Sequence, residues 1–235
     1  MIKKIRKYLI TKIIKYGIKN ESKLIIKLAL ITSKVKIDFE QKALRDTSKL
    51  NKLYYARFSR IYYYSTGIQT RINHLLEEYL IKNISLSIHF DEIIVDIGAN
   101  IGEFSLGISN LLNNYNLICI EPDPTEFDVL KKNLKDLKKV KLYNYALSKK
   151  NSQMTFYLNN NSGDSSLDNK SENKIIVKTK TLDFLLRDIK IIGLIKLEAE
   201  GHEPEVLEGS FETLIKTKYI TVDVGPERNH KSTFD

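Results

Sequence analysis

The chain has 235 residues, a single cysteine, four histidines and a net charge of +9. That length accommodates one α/β domain with an appended helical segment, and a lone cysteine excludes a disulfide framework within the chain. With no C-x-x-C pair and no H-E-x-x-H, the sequence carries no zinc pattern, and no metal ligand is assigned.

Charge is unevenly distributed along the chain. Residues 1–36 hold eleven Lys or Arg against one acid, Glu21, a net of +10, which leaves 27 basic and 28 acidic residues and a net of −1 elsewhere. A phosphate-tracking surface on the rest of the chain is therefore not implied, and no nucleic-acid partner is expected. The basic arm is also amphipathic: Ile2, Ile5, Leu9, Ile13 and Tyr16 recur at helical spacing, with Lys3, Lys4, Lys7, Lys12 and Lys15 mainly off that stripe. After Gly17 and Asn20, a second helical segment, Ser22 to Lys34, carries Leu24, Ile25, Leu28, Ile31 and Val35 with further lysines. Such helices suit an anionic membrane surface. Two alternatives stay open, a cap that packs its apolar stripe on the domain and an RNA-binding arm.

No stretch approaches the ~20 apolar residues that a membrane span requires, since Lys27 interrupts Leu24 to Ile31. Lysines also recur through the only region that could imitate a secretory signal, so the expected location is the cytoplasm, with the arm peripheral on the inner membrane face. Residues 38–82 read as helices with a tyrosine-rich stretch at Tyr54, Tyr55, Tyr62, Tyr63 and Tyr64, whose rings suit packing on a sheet. The expected organisation is a basic, helical extension over 1–66 and a domain over 67–235.

The apolar run from Ile93 to Ile97 predicts a buried strand, broken by Gly98, Asn100 and Gly102 before a helix from Glu103 to Leu112. Glycines at such a bend let backbone approach a ligand closely. The order Asp96, Gly98, Asn100, Gly102 departs from the G-x-G-x-x-G of dinucleotide sites, which disfavours NAD. A carboxylate just before the turn suits the cationic S-adenosylmethionine. A second strand, Leu117 to Ile120, ends at Glu121 and is stopped by Pro122, Asp123 and Pro124 before a helix from Thr125 to Leu137. Glu121 stands about 20 positions after the turn, where an acid accepts hydrogen bonds from ribose hydroxyls.

Here the chain resembles the FkbM-type S-adenosylmethionine-dependent methyltransferases. The resemblance is carried by V-D-I-G-A-N-I-G-E-F (95–104), I-E-P-D-P (120–124), N-Y-A-L-S (144–148), T-L-D (181–183), L-I-K-L-E-A-E-G-H-E-P-E-V-L-E-G (194–209) and V-D-V-G-P-E-R (222–228), in family order from about Gly67 to Arg228. It implies a class I methyltransferase fold, a Rossmann-like doubly wound sheet, and methyl transfer from S-adenosylmethionine to a hydroxyl oxygen of a saccharide or related metabolite. It also implies that Asn144, Ala146 and Leu147 lie beside the cofactor, and that an S-S-L element, Ser165 to Leu167, lies near the acceptor site.

Val140 to Ala146 reads as a third strand, followed by strand-like runs at Met154 to Leu158 and Ile175 to Lys180 around a polar loop from Asn159 to Asn173. The strand Ile192 to Leu197 then delivers Glu198, Glu200, Gly201, His202 and Glu203 to its C-terminal end, the edge where doubly wound sheets collect ligands. Glu198 stands where the family carries Asp, and Glu200 and Gly201 match. A carboxylate there can orient an acceptor hydroxyl or take its proton, with His202 as the alternative base. The acids Glu203, Glu205 and Glu208 also suit the start of a helix.

Tyr219 to Val224 reads as a fifth core strand, and the helix and antiparallel strands that complete the usual seven-stranded sheet do not follow in the sequence. That leaves two rival expectations besides an O-methyltransferase. One is a shortened, inactive protein that binds a partner or membrane. The other is an RNA methyltransferase, although no D-P-P-Y or N-P-P-Y tetrapeptide is present.

Overall fold

The computed structural model describes residues 2–46, 52–89, 91–159, 165–168 and 171–225. Residues 160–164 and 169–170 of the polar loop from Asn159 to Asn173, and 226–228 of the last motif, lie outside the described residues. The chain forms two compact units, one within residues 1–75 and one built mainly from residues 76–159 and 164–235.

In the first unit, helices α1 (Ile2–Lys19) and α2 (Lys23–Ile31) form a hairpin. They approach at Gly17, where an added Cβ would stand 2.7 Å from Ile26 Cγ1, and Ser22 caps α2 by accepting the Ile25 amide. Ile14, Ile26, Ala29 and Leu30 are buried. The helices expected over 38–54 are instead strands: β1 (Val35–Asp38), β2 (Ala43–Asp46) and β3 (Lys52–Tyr54) form an antiparallel sheet in that order. The reason is local. Val35 and Ile37 alternate with exposed Lys36, the period of a strand, and the Asp38 carboxylate accepts the Glu40 and Gln41 amides to close the turn. Helix returns with a 3₁₀ segment over Phe58–Tyr64 and with α3 (Ile68–Glu78), which runs into the second unit, where α4 (Ile81–Ile84) follows.

The second unit contains β4 (Ile93–Ile97), α5 (Glu103–Leu111), β5 (Asn116–Ile120), α6 (Pro124–Leu134) and β6 (Val140–Tyr143). Then follow β7 (Ala146–Leu147), β8 (Ser152–Tyr157), β9 (Lys174–Lys180), α7 (Leu182–Leu185), β10 (Ile192–Leu197), α8 (Glu203–Glu208), α9 (Phe211–Ile215) and β11 (Thr217–Val222). Five strands pair in parallel in the order β11-β10-β4-β5-β6. Strands of such a sheet are covered on both faces, which is why β4, β5 and β10 read as nearly continuous apolar runs. Val95, Ile97, Ile118, Ile120, Ile195 and Leu197 form one core face with Leu182, Leu186 and Val206.

The third strand expected over 140–146 is split in two. Its first part, β6, joins the parallel sheet, and β7 joins a separate sheet in the order β7-β9-β8. The break follows Tyr143, where Asn144 turns aside and its side-chain amide donates to the Glu121 and Pro122 carbonyls at 2.8 and 3.1 Å.

Candidate active site

Parallel strands bring their C-terminal ends to one edge, and β4, β5 and β10 place the motif residues there. Gly98, Asn100 and Gly102 all have left-handed backbone, with φ of 69°, 49° and 93°. At Gly98 glycine is required twice over, because an added Cβ would stand 2.0 Å from the Glu198 carbonyl oxygen. Asn100 tolerates this conformation and its side chain accepts the Ile101 amide at 3.0 Å. The close approach seats the glycine turn directly on the end of β10.

Glu121, at the tip of β5, accepts the Asn100 amide at 2.7 Å on one carboxylate oxygen and the Asp123 amide at 2.8 Å on the other. It thereby fixes the glycine turn to the following loop. Burial pushes its carboxyl up to about 8 despite these donors. Each oxygen retains a lone pair for a further donor, which fits the ribose role expected for this position.

Asp96 has no exposed surface. Register explains what it touches: Lys196 of β10 and Cys119 of β5 lie beside it on neighbouring strands. Ser105 of α5 donates to Asp96 Oδ2 at 2.7 Å, and Lys196 Nζ stands 3.4 Å from Oδ1. Burial pushes the Asp96 carboxyl up, against the pull of Lys196 and Ser105. Asp96 thus faces inward. The member of this group with solvent access is Glu198, two residues beyond Lys196 on the same strand face, with its side chain 32% exposed.

The lysine is the centre of the group. Its ammonium lies 2.8 Å from Glu198 Oε2 and donates to the Ile97 and Gly98 carbonyls at 3.1 and 2.9 Å. Burial alone pulls its pKa down, but Glu198 and Asp96 outweigh this and the net shift is upward, so Lys196 stays a cation. Tyr79 completes the arrangement: its hydroxyl donates to Glu198 Oε2 at 2.8 Å, and its ring meets Phe104 edge-on with centroids 5.9 Å apart. Burial and the adjacent Glu198 carboxylate push the Tyr79 hydroxyl well above its ordinary range.

The turn after β10 holds the other expected groups. Glu200 and Gly201 have φ of 52° and 96°. Glu203 is buried and accepts the Ala199 and Gly201 amides at 2.6 and 3.3 Å, so one acid at the start of α8 shapes the turn. His202 is buried as well. Its Nδ1 is 2.6 Å from Asp168 Oδ2, an acceptor, so Nδ1 carries a proton, and Nε2 is 3.0 Å from the Ser148 hydroxyl. Ser166 donates to the Glu200 carbonyl at 2.8 Å and exchanges backbone hydrogen bonds with Tyr157. The segment 165–168 is therefore a strap that ties the end of β8 to the turn after β10. Among the described residues, Asp168, His202 and Glu205 bring donor atoms within 4.8 Å of one another, a spacing a metal ion could use. Hydrogen bonds already engage both imidazole nitrogens.

Asn144 is exposed beside Glu121, whereas Ala146 is buried against Phe156, Leu167 and Val177 and pairs with Thr179 of β9. Lys196, Tyr79, Ser148 and Asp168 were not singled out by the sequence reading. Only Lys196 left a signal, a lysine inside an unbroken apolar strand, which must find buried partners. The other three are recognisable only once the sheet is assembled.

A five-stranded parallel sheet in this order, with a glycine turn after its first strand and an acid ending its second, defines an S-adenosylmethionine-dependent methyltransferase of class I architecture. The Methyltransferase FkbM domain matches residues 96–233, and the chain belongs to the FkbM methyltransferase family. It is 27% identical over 183 residues to the 2-O-methyltransferase NoeI of Sinorhizobium fredii, a match covering 66% of this chain and 75% of the relative. To the hexuronic acid methyltransferase AglP of Haloferax volcanii it is 26% identical over 137 residues, covering 57% of this chain and 56% of that protein. A solved structure of a putative caffeoyl-CoA O-methyltransferase from Staphylococcus aureus aligns with a TM-score of 0.37 at 13% identity, over 66% of this chain and 56% of that one, too distant to bear on substrate.

The residues present fit S-adenosylmethionine. Gly98 lets the turn pack backbone against backbone on the end of β10, Glu121 offers acceptor capacity at the expected place, and Glu198 supplies the accessible carboxylate that suits a cationic ligand.

Proposed function

We propose that the chain methylates a hydroxyl oxygen of a saccharide or related metabolite. The observation that carries this reading is the contact of Gly98 with the end of β10, which brings the cofactor turn against Glu198 and, two residues on, Glu200. The names of NoeI and AglP, an O-methyltransferase and a hexuronic acid methyltransferase, supply the acceptor class.

S-adenosylmethionine supplies an electrophilic methyl group whose leaving group is a neutral thioether. Because that methyl is already activated, the protein's main task is to place an acceptor oxygen in line with it, and position outweighs proton removal. Glu198, held by Lys196 and Tyr79, is a fixed acceptor that orients an incoming hydroxyl rather than a strong base. Glu200, on a left-handed backbone at the crevice edge, takes the hydroxyl proton as the new carbon–oxygen bond forms. His202, with both nitrogens engaged, secures the strap over the acceptor side.

The test is transfer of labelled methyl to a panel of mono- and oligosaccharides that includes hexuronic acids, with the product linkage read by mass spectrometry. A methyl ether that is lost in Glu200→Gln while cofactor binding persists is the expected result. Label on RNA, or none on any saccharide by a folded, cofactor-bound chain, contradicts the proposal.

A further inference from the structure

The hairpin of α1 and α2 turns an apolar face to solvent. Ile5, Leu9, Ile13 and Tyr16, at i, i+4, i+8 and i+11 of α1, are 47% to 60% exposed. On α2, Leu24, Leu28 and Ile31, at i, i+4 and i+7, are 57% to 67% exposed. The opposite side of α1 does the packing, with Ile14 fully buried and Gly17 against Ile25 and Ile26. The stripe that a packed cap would bury is therefore the one left uncovered. Soluble surfaces rarely leave so many large aliphatic side chains exposed together.

The end of α2 meets α1 beside its stripe. Arg6 donates to the Thr32 carbonyl at the end of α2 at 2.9 Å, and Ile5, Leu9, Ile10 and Thr32 line a groove of about 500 Å³ beside it. Exposed cations border the apolar stripes: Arg6, Lys7, Lys12, Lys15 and Lys19 on α1, and Lys23 and Lys27 on α2. Glu21 is the only acid in residues 1–36.

We infer that this face docks on an anionic phospholipid surface, with Ile, Leu and Tyr side chains entering the headgroup boundary and lysines meeting lipid phosphates. Charge selects this occupant. A second copy would set one +10 arm against another, and nucleic acid would answer the lysines but leave the aliphatic side chains in water. A bilayer of anionic lipid satisfies both at once. No helix among the described residues is long and apolar enough to cross a membrane, so the hairpin lies along the surface.

The experiment is co-sedimentation of the full chain with vesicles of phosphatidylcholine alone and of phosphatidylcholine and phosphatidylglycerol in equal parts. Because the chain has no tryptophan, Leu28→Trp adds a fluorescence reporter on the face itself. The expected result is partitioning onto the anionic vesicles with a blue-shifted Trp emission, reduced at least about tenfold in Leu9→Glu/Leu28→Glu. An unchanged thermal midpoint shows that this variant folds. Absence of partitioning by the folded chain overturns the inference, as does equal binding by the double variant. A lipid-free dimer that the same variant dissociates, or RNA binding indifferent to it, also overturns it by assigning the face to another occupant.

Discussion

Lys196 and Lys7, Lys12, Lys15 and Lys19 of α1 carry the same charge, yet the first is sealed between strands and the others stand in water. Lys196 has two carboxylates and two backbone carbonyls around its ammonium, so its charge is fixed in place and holds the glycine turn to β10. Lys7, Lys12, Lys15 and Lys19 of α1 are exposed along a helix that packs through its other side. Desolvation separates the two cases: a buried ion is a rigid tether whose loss is severe, and a solvated one is a soft, salt-screened attraction that matters only in number.

The widest gap between the two regions should appear at the glycine turn. Gly98→Ala puts a methyl 2.0 Å from the Glu198 oxygen on a backbone already at φ 69°, and should remove detectable S-adenosylmethionine binding in calorimetry. Lys196→Met comes next, because it strands Asp96 and Glu198 without their shared cation. It should lower unfolding free energy by about 3–5 kcal/mol, with part regained in Asp96→Asn/Lys196→Met.

Glu121→Gln keeps the shape of the β5 tip but cannot become a carboxylate, and should weaken cofactor binding about tenfold or more above about pH 8. Two pH effects accompany it. The Glu121 carboxyl is raised from 4.5 to about 8 in the folded chain, so between those values the folded state holds a proton that the unfolded state has lost. This contribution to stability is intact below about 4.5 and declines as pH rises to about 8. Cofactor affinity should run the other way, rising as pH passes through about 8 and the better acceptor, the carboxylate, forms, and Glu121→Gln should flatten both trends.

His202→Gln breaks the link to Asp168 and should lower methyl-transfer turnover about tenfold while leaving cofactor affinity unchanged, because the strap is not part of the glycine turn. The smallest effect belongs to the arm. Lys12→Gln or Lys15→Gln should each weaken anionic vesicle binding by about 1 kcal/mol, about fivefold, and leave cofactor binding untouched.

Much of the second unit was legible in the sequence because its signals are local. Apolar runs such as Ile93 to Ile97 mark strands buried on both faces, and the glycines after Asp96 mark a turn where backbone must pass backbone. Glu121 was found by its distance from that turn. The strands at 35–54 were missed because β1 has only four residues and its lysine-rich surroundings continue the composition of the helices before it. The division of Val140 to Ala146 depends on which strand each half pairs with, a choice made by tertiary packing.

Within the site the same distinction holds. Glu198, Glu200 and His202 stand in one short stretch and were legible as a group. Their relation to Tyr79, 119 positions before Glu198, and to Ser148 and Asp168 on other elements exists only in three dimensions. Asp96 was noticed for the right position, but the register that pairs it with Lys196 turns its carboxylate inward and leaves Glu198 as the group with access.

The central claim is that the turn at Gly98 and the tip of β5 form one S-adenosylmethionine site. Its most direct test is calorimetric titration of the full chain with S-adenosylmethionine, alongside Glu121→Ala and with NAD as the competing ligand. Saturable binding of S-adenosylmethionine that is lost in Glu121→Ala, with no heat from NAD, is the predicted result. A folded chain that binds NAD instead, or a Glu121→Ala variant that binds S-adenosylmethionine as tightly as the parent, would contradict the account.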